Sequence, residues 1–433
     1  MELFKYTLQQ VSYAIVDPYY SLILIIMGFM FYFKNKKTVM MEKMIMGKNT
    51  YSAFELTISQ IVMGIFGGVI ASIILTYLGI SFFETSNIYL IFIISIALMF
   101  FNPKLVCFSY SGAILGLISS MMYFLSMALE RPQINVLKID ITNILILVGV
   151  MHVVEGLLVI IDGKRGAIPV FAGRDKKIIG GFAYRRQWIL PMIILLMVQA
   201  GETSIGSGSV NVPQWWPIIN HDRNLKLLAT MAVGALPIFA GLNYSTVTFT
   251  KSKEQKPVFS GVLIFGYGLL IGAMSLLGNI NPFLDLALLL LMPIFHEYML
   301  YFDRNSEKKG KIKYVSNEEG LCVLDVAPNS LAKAMGLQRG DLILEINNIK
   351  VDRDEIVYNA LENLPRTISI KVKKANGVVK DLLSQVSDNR DKLGFIIVPR
   401  KMPGNVTVTK GSDSSFEDIL KKVKEKKDKK DNK

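Results

Sequence analysis

The 433-residue chain is 51% hydrophobic and only 19% charged, and its charges avoid long apolar stretches, which excludes a water-soluble globule for most of its length. A formal net charge of +13 would suggest nucleic acid in a soluble domain, but here the cations sit in short loops between apolar runs and in the tail, as membrane topology requires. The two cysteines, Cys107 and Cys322, fall in an apolar run and in a polar domain, so neither a disulfide nor a metal site is expected, and no cofactor is.

The opening "MELFKYTLQQ" is not a basic leader and no small-residue cleavage site follows it, so the first apolar run is expected to remain as an anchor. A hydrocarbon layer about 30 Å thick takes roughly 20 apolar residues per helix. Candidate spans lie near 18–33, 54–80, 87–101, 104–128, 139–161, 187–203, 225–247, 258–279 and 282–302. The first and third are short, so eight spans with one interfacial segment is the alternative to nine.

The loops at 34–49, 162–187 and 251–257 are rich in lysine and arginine and are expected in the cytoplasm, whereas those at 81–87, 130–138 and 201–224 are poorer in net positive charge and are expected outside. With eight or nine crossings, everything after Phe302 is then cytoplasmic. In the external loop Trp215 and Trp216, between Pro213 and Pro217, are expected to anchor at headgroup depth. The basic loop holds Gly163-Lys164-Arg165 but lacks the glycine spacing and Ser/Thr of a phosphate-binding loop. Anionic headgroups or a docking partner suit it better.

Ionisable residues inside an apolar span are functional hypotheses by default. His152 and Glu155 in "GVMHVVEGL" share one helix face and form the candidate intramembrane polar pair, bonded to each other or to a neighbouring helix; Asp285 is a further polar group. Helix fastening is the favoured role. "MPIFHEYML" tests for a membrane zinc protease, whose His-Glu-x-x-His puts two imidazoles on one helix face. His296-Glu297 is followed by Leu300 where the second histidine belongs, and the chain has three histidines in all, His152, His221 and His296. A Ser-His-Asp protease would need a large β-barrel domain, and no Gly-x-Ser-x-Gly elbow occurs. No catalytic set is expected.

From Lys311 the pattern changes to short alternating runs. "GLCVLDV" predicts a strand, "LAKAMG" a short helix, and "DLILEI" a second strand between the turns Gly340-Asp341 and Asn347-Asn348. Val357, Ala360, Leu361 and Leu364 line one face of an amphipathic helix over 352–365. "TISIKVK" alternates with Ile368, Ile370 and Val372 inward, and Asn376-Gly377 predicts a hairpin into "VVKDLL". The tail after residue 400 is low-complexity and charged, and is expected to be disordered.

Residues 310–400 resemble a bacterial PDZ domain, most specifically in "VAPNSLAKAMGLQRGDLILEINNIKV". "KLGFIIV" near the end then resembles the carboxylate loop and groove strand, in a chain order permuted from the animal form. The resemblance implies a peptide site built on Leu393, Gly394, Phe395, Ile396 and Ile397, with Val357 and Leu361 on the facing helix. The fold expected is a polytopic α-helical membrane domain (1–302) followed by a small α+β PDZ domain of permuted bacterial topology and a tail (401–433).

Taken with "FNPKLVCFSYSGAILGL", "HVVEGLLVIIDGKRG" and "VPQWWP", the chain resembles the MinJ family of division-site selection. The resemblance implies a non-catalytic membrane adaptor at septum and poles, linking the polar protein DivIVA to the MinC–MinD inhibitor of septum assembly. A PDZ-containing membrane protease relic and a small-solute transporter are the alternatives, and either would require a connected polar constellation at the bilayer midplane.

Overall fold

The computed structural model describes residues 2–400 and 409–410, apart from positions 48, 84–85, 102–104, 175–176, 200–214, 220–230, 363–364 and 386–392. The first half consists of α1 (Glu2–Val16), α2 (Pro18–Met46), α3 (Ala53–Leu78), β1 (Ser81–Phe83), α4 (Leu90–Phe101), α5 (Phe108–Ala128) and α6 (Ile141–Asp162). Three strands follow, β2 (Ile168–Arg174), β3 (Lys177–Gln199) and β4 (Met231–Thr248), then α7 (Gln255–Met274) and α8 (Pro282–Lys309). The remaining elements are β5 (Tyr314–Val315), β6 (Leu321–Val326), α9 (Leu331–Ala334), β7 (Leu342–Ile346), β8 (Ile349–Lys350), α10 (Asp354–Glu362), β9 (Thr367–Lys373), β10 (Val379–Gln385), β11 (Phe395–Ile397) and β12 (Thr409–Lys410).

Among the described residues five helical segments are long and apolar enough to cross a membrane: α3, α5, α6, α7 with the turn after it, and α8. The pair α1 and α2, bent by 66°, raises this to six if it acts as one span. This corrects the hydropathy expectation of eight or nine helical spans. The predicted span at 87–101 is a helix of only 12 residues. Those at 187–203 and 225–247 are not helical where described; they form β3 and β4, paired antiparallel from Phe182↔Thr248 to Gln199↔Met231. Hydropathy over 20 residues does not distinguish a helix from a long strand. Proline inside each run, Pro191 and Pro237, disfavours helix, although α8 keeps Pro293 in its interior.

What holds β3 in place is the surface of α3. A Cβ on Gly64 would lie 2.1 Å from the Ile189 carbonyl oxygen, and one on Gly68 2.1 Å from that of Pro191. One turn further, the Ile193 N–H donates to Ser72 Oγ at 3.0 Å. The spacing explains the fit: four helical residues rise about 6 Å, and two strand residues advance about 6.6 Å. Small residues at every fourth position thus meet every second strand residue. Helices α6 and α7 approach each other similarly. Gly149 faces Gly268, and Gly156 faces Gly261, with the added Cβ on each α6 glycine within 2.9 Å of the opposite carbonyl oxygen.

The end of the ribbon nearest the C-terminal domain is fastened by buried charge. Asp162, at the end of α6, accepts bonds from Arg186 Nε at 2.9 Å and Trp188 Nε1 at 2.8 Å, while Ser59 Oγ donates to its other oxygen at 2.9 Å. Arg186 is almost fully buried. Part of the basic loop is therefore internal scaffold rather than a surface for headgroups. At the opposite end Trp216 is buried and donates to the Thr76 carbonyl at 2.7 Å, while Trp215 is half exposed and stacks on Tyr77. Only Trp215 keeps the exposure an interfacial anchor needs.

The first sheet runs β1-β3-β2-β12, with β4 and β5 also paired to β3; the second runs β10-β9-β7-β6-β11, with β8 on β7. The predicted hairpin about Asn376-Gly377 is present, in register Val379↔Lys373, and Ile368, Ile370 and Val372 are fully buried as the alternation requires. Beyond Arg400 the expected disordered tail lies outside the described residues, except that Thr409 and Lys410 pair with Ala172 and Gly173.

Candidate functional site

The residues of the predicted peptide site come together around β11. Leu393, Phe395 and Ile397 are buried in one core with Val357 of α10, and Leu361 packs against it partly exposed. Strand β11 is the last of its sheet, bonded on one side to β6 with Phe395 opposite Val326. A terminal strand beside an amphipathic helix is the arrangement into which an extended peptide adds as a further strand.

Ile396 points the other way. With Val398, Cys322 and Leu324 it belongs to the hydrophobic core of the helical half. A Cβ on Gly180 of β3 would come within 2.7 Å of Val398 Cγ2 and 2.8 Å of Leu324 Cδ1, so the two sheets are in direct contact. Ionic contacts close the same junction. Asp325 accepts from Lys253 Nζ at 3.0 Å and from Arg339 Nε at 2.5 Å, and Arg339 also bonds Glu254 at 2.5 Å. Burial alone would raise the Asp325 carboxyl, but Lys253 and Arg339 outweigh it and hold the group below the ordinary carboxylate range. Periodicity identifies the elements of the small domain, not this docking, because Lys253 and Arg339 look like ordinary loop cations until the fold opposes them to one aspartate.

Within the helices, His152 does not bond Glu155. Its Nδ1 bonds the Val148 carbonyl at 2.8 Å, and its Nε2 faces Cys107 Sγ on α5's N-terminal cap at 3.1 Å. His296 of α8 reaches the same sulfur at 3.5 Å. Glu155 lines a cavity of about 540 Å³ that also takes in Cys107, His152, His296 and Asn243 of β4. Beyond its own helix, the His152 ring thus contacts Cys107 at the start of α5 and, edge to ring, His296 of α8. Asp285 lies apart, accepting the Asn279 N–H at 2.8 Å where α8 begins.

The PDZ domain family matches residues 323–374. The chain is also similar to the cell division topological determinant MinJ of Bacillus subtilis (strain 168), 22% identical over 261 residues that make up 58% of this chain. The match spans 60% of that relative's length. A distant MinJ homologue's similarity together with a C-terminal PDZ domain is consistent with the MinJ family, the one the sequence resembles.

Proposed function

We propose that this protein is a membrane-embedded, non-catalytic adaptor in division-site selection, whose PDZ domain holds the C-terminus or an extended segment of a partner. The observation that carries this reading is the pairing of a MinJ-like chain with a PDZ domain. The partners implied are division proteins of the DivIVA and MinC–MinD kind. The protein would be multi-pass, with the PDZ domain in the cytoplasm beside the basic loops, and enriched at septum and poles.

In this reading the chain order of the PDZ domain is permuted. The carboxylate loop Leu393-Gly394-Phe395 closes the domain instead of opening it, and the groove strand is β11. A partner strand would add along the edge of β11 that is not bonded to β6, with its apolar side chain between Phe395 and Leu361. The helical half supplies anchorage and a rigid seat for the outer face of β6 and β11.

The test uses the full-length protein fused to a fluorescent reporter in dividing cells, with two-hybrid recruitment of DivIVA-like and MinD-like proteins. Leu361→Arg should abolish recruitment while membrane insertion persists. Dispersed membrane fluorescence in the wild type, or normal recruitment by Leu361→Arg, would overturn the groove-based adaptor.

A further inference from the structure

Two of the chain's three histidines converge on one of its two cysteines, from three different helices. Cys107 Sγ lies 3.1 Å from His152 Nε2 and 3.5 Å from His296 Nε2, and a ligand atom from each of the three side chains lies within 4.8 Å of the others. Around a tetrahedral zinc ion, with Zn–S near 2.3 Å and Zn–N near 2.0 Å, adjacent sulfur and nitrogen ligands stand about 3.5 Å apart. The two sulfur–nitrogen distances come near that spacing.

The hydrogen bonds around the two rings select the tautomer a metal needs. The Val148 carbonyl only accepts, so His152 Nδ1 carries the proton and Nε2 presents its lone pair to the sulfur. Tyr110 O–H donates to Glu297 at 2.5 Å, so the phenol oxygen is left to accept from His296 Nδ1 at 3.1 Å. His296 Nε2 is then the lone-pair side as well. Each imidazole is oriented through its far nitrogen, by a carbonyl in one case and by a carboxylate-linked tyrosine in the other, as is usual for metal-bound histidines. The single S–H of Cys107 can donate to one of these two lone pairs only, and Ser109 Oγ also stands 3.4 Å from His152 Nε2.

We propose that Cys107, His152 and His296 bind a zinc ion, with the fourth position opening into the cavity that Glu155 lines. Thiolate and imidazole suit zinc in kind and in number, and three protein ligands leave one position open. The cavity is also lined by Lys256, Asp303 and Glu307, near the end of α8. The missing second histidine of the His296-Glu297 segment is thus replaced in space by His152, and the ligand set differs from that of a His-Glu-x-x-His helix.

The experiment purifies the full-length protein in lipid nanodiscs and measures bound metal by mass spectrometry, then exchanges the ion for cobalt. Stoichiometric zinc and a near-ultraviolet thiolate-to-cobalt band are expected in the wild type and in Cys322→Ser, and both should be lost in Cys107→Ser and His296→Asn. Tyr110→Phe, which removes the bond orienting His296, should weaken metal affinity roughly 10- to 100-fold. The cobalt band reads the wild-type thiolate directly, so the outcome does not depend on the variants folding. A monodisperse wild type that takes up neither zinc nor cobalt, or metal content unchanged in Cys107→Ser, would overturn the proposal.

Discussion

Gly394 lies so close to Ser330 that a Cβ added to it would sit 2.5 Å from the Ser330 Cβ. Its φ of +71° is in the left-handed region, and its carbonyl accepts the Ala327 N–H at 2.8 Å. The PDZ resemblance implies that this glycine belongs to the loop that holds a bound carboxylate. The structure adds a prior requirement, because the glycine seats the loop on the start of α9 whether or not a peptide is bound.

Gly394→Ala should therefore destabilise the PDZ domain itself, by about 1–3 kcal/mol. Pulse proteolysis of the solubilised protein is expected to show earlier cleavage within 320–400 for Gly394→Ala and an unchanged pattern for Leu361→Arg. Equal resistance of Gly394→Ala and wild type would show that the loop yields to the added methyl group.

Asp325 should act as the electrostatic latch between the two halves. Its carboxyl is shifted down in the folded protein, so its contribution is present above the unfolded carboxylate value and is lost as pH falls through the lower folded value. Docking should hold from pH 5 to 8 and loosen only below about pH 4. Asp325→Ala takes this carboxylate from Lys253, while Arg339 keeps Glu254, and should cost up to ~3 kcal/mol at neutral pH. Hydrogen exchange at Ile396 and Val398 measures both effects, and protection unchanged at neutral pH in Asp325→Ala would refute the latch.

The glycine stripe of α3 should tolerate no side chain. Gly64→Leu or Gly68→Leu would force β3 off the helix, since even a Cβ meets backbone at 2.1 Å. Loss of folded protein in the membrane fraction is expected for both. Gly241→Ala is the contrast, because nothing lies within 4 Å of its added Cβ. Wild-type yields from the leucine variants would show that the contact between α3 and β3 is dispensable.

Paired cysteines can read the ribbon directly. Gln187 and Asn243 are opposite each other in register, and their side chains are hydrogen-bonded at 3.3 Å. Gln187→Cys with Asn243→Cys should cross-link on oxidation, whereas Gln187→Cys with Gly241→Cys, two residues out of register, should not. Helical spans at these positions would give no such alternation.

Local pattern was enough for several features. Apolar runs mark α3, α5, α6, α7 and α8, each long enough to span a membrane, although the same measure also marked the runs that pair as β3 and β4. Period-two burial in "TISIKVK", the turn at Asn376-Gly377 and the spacing of Val357 and Leu361 identify the PDZ elements, because each is encoded within a few residues of itself.

Tertiary structure decided what no window contains. The segment "QWILPMIILLMVQ" is a strand paired along its length with β4 and packed on the glycine face of α3, more than a hundred residues earlier in the chain. Ile396 is assigned to the helical half because β3 brings Gly180 against its strand. Cys107 stands 45 residues from His152 and 189 from His296, and only helix packing brings them together. Hydropathy and periodicity report how one segment meets an average environment. These contacts depend on which particular segment arrives, and a stripe of glycines or a lone histidine takes its meaning from that partner.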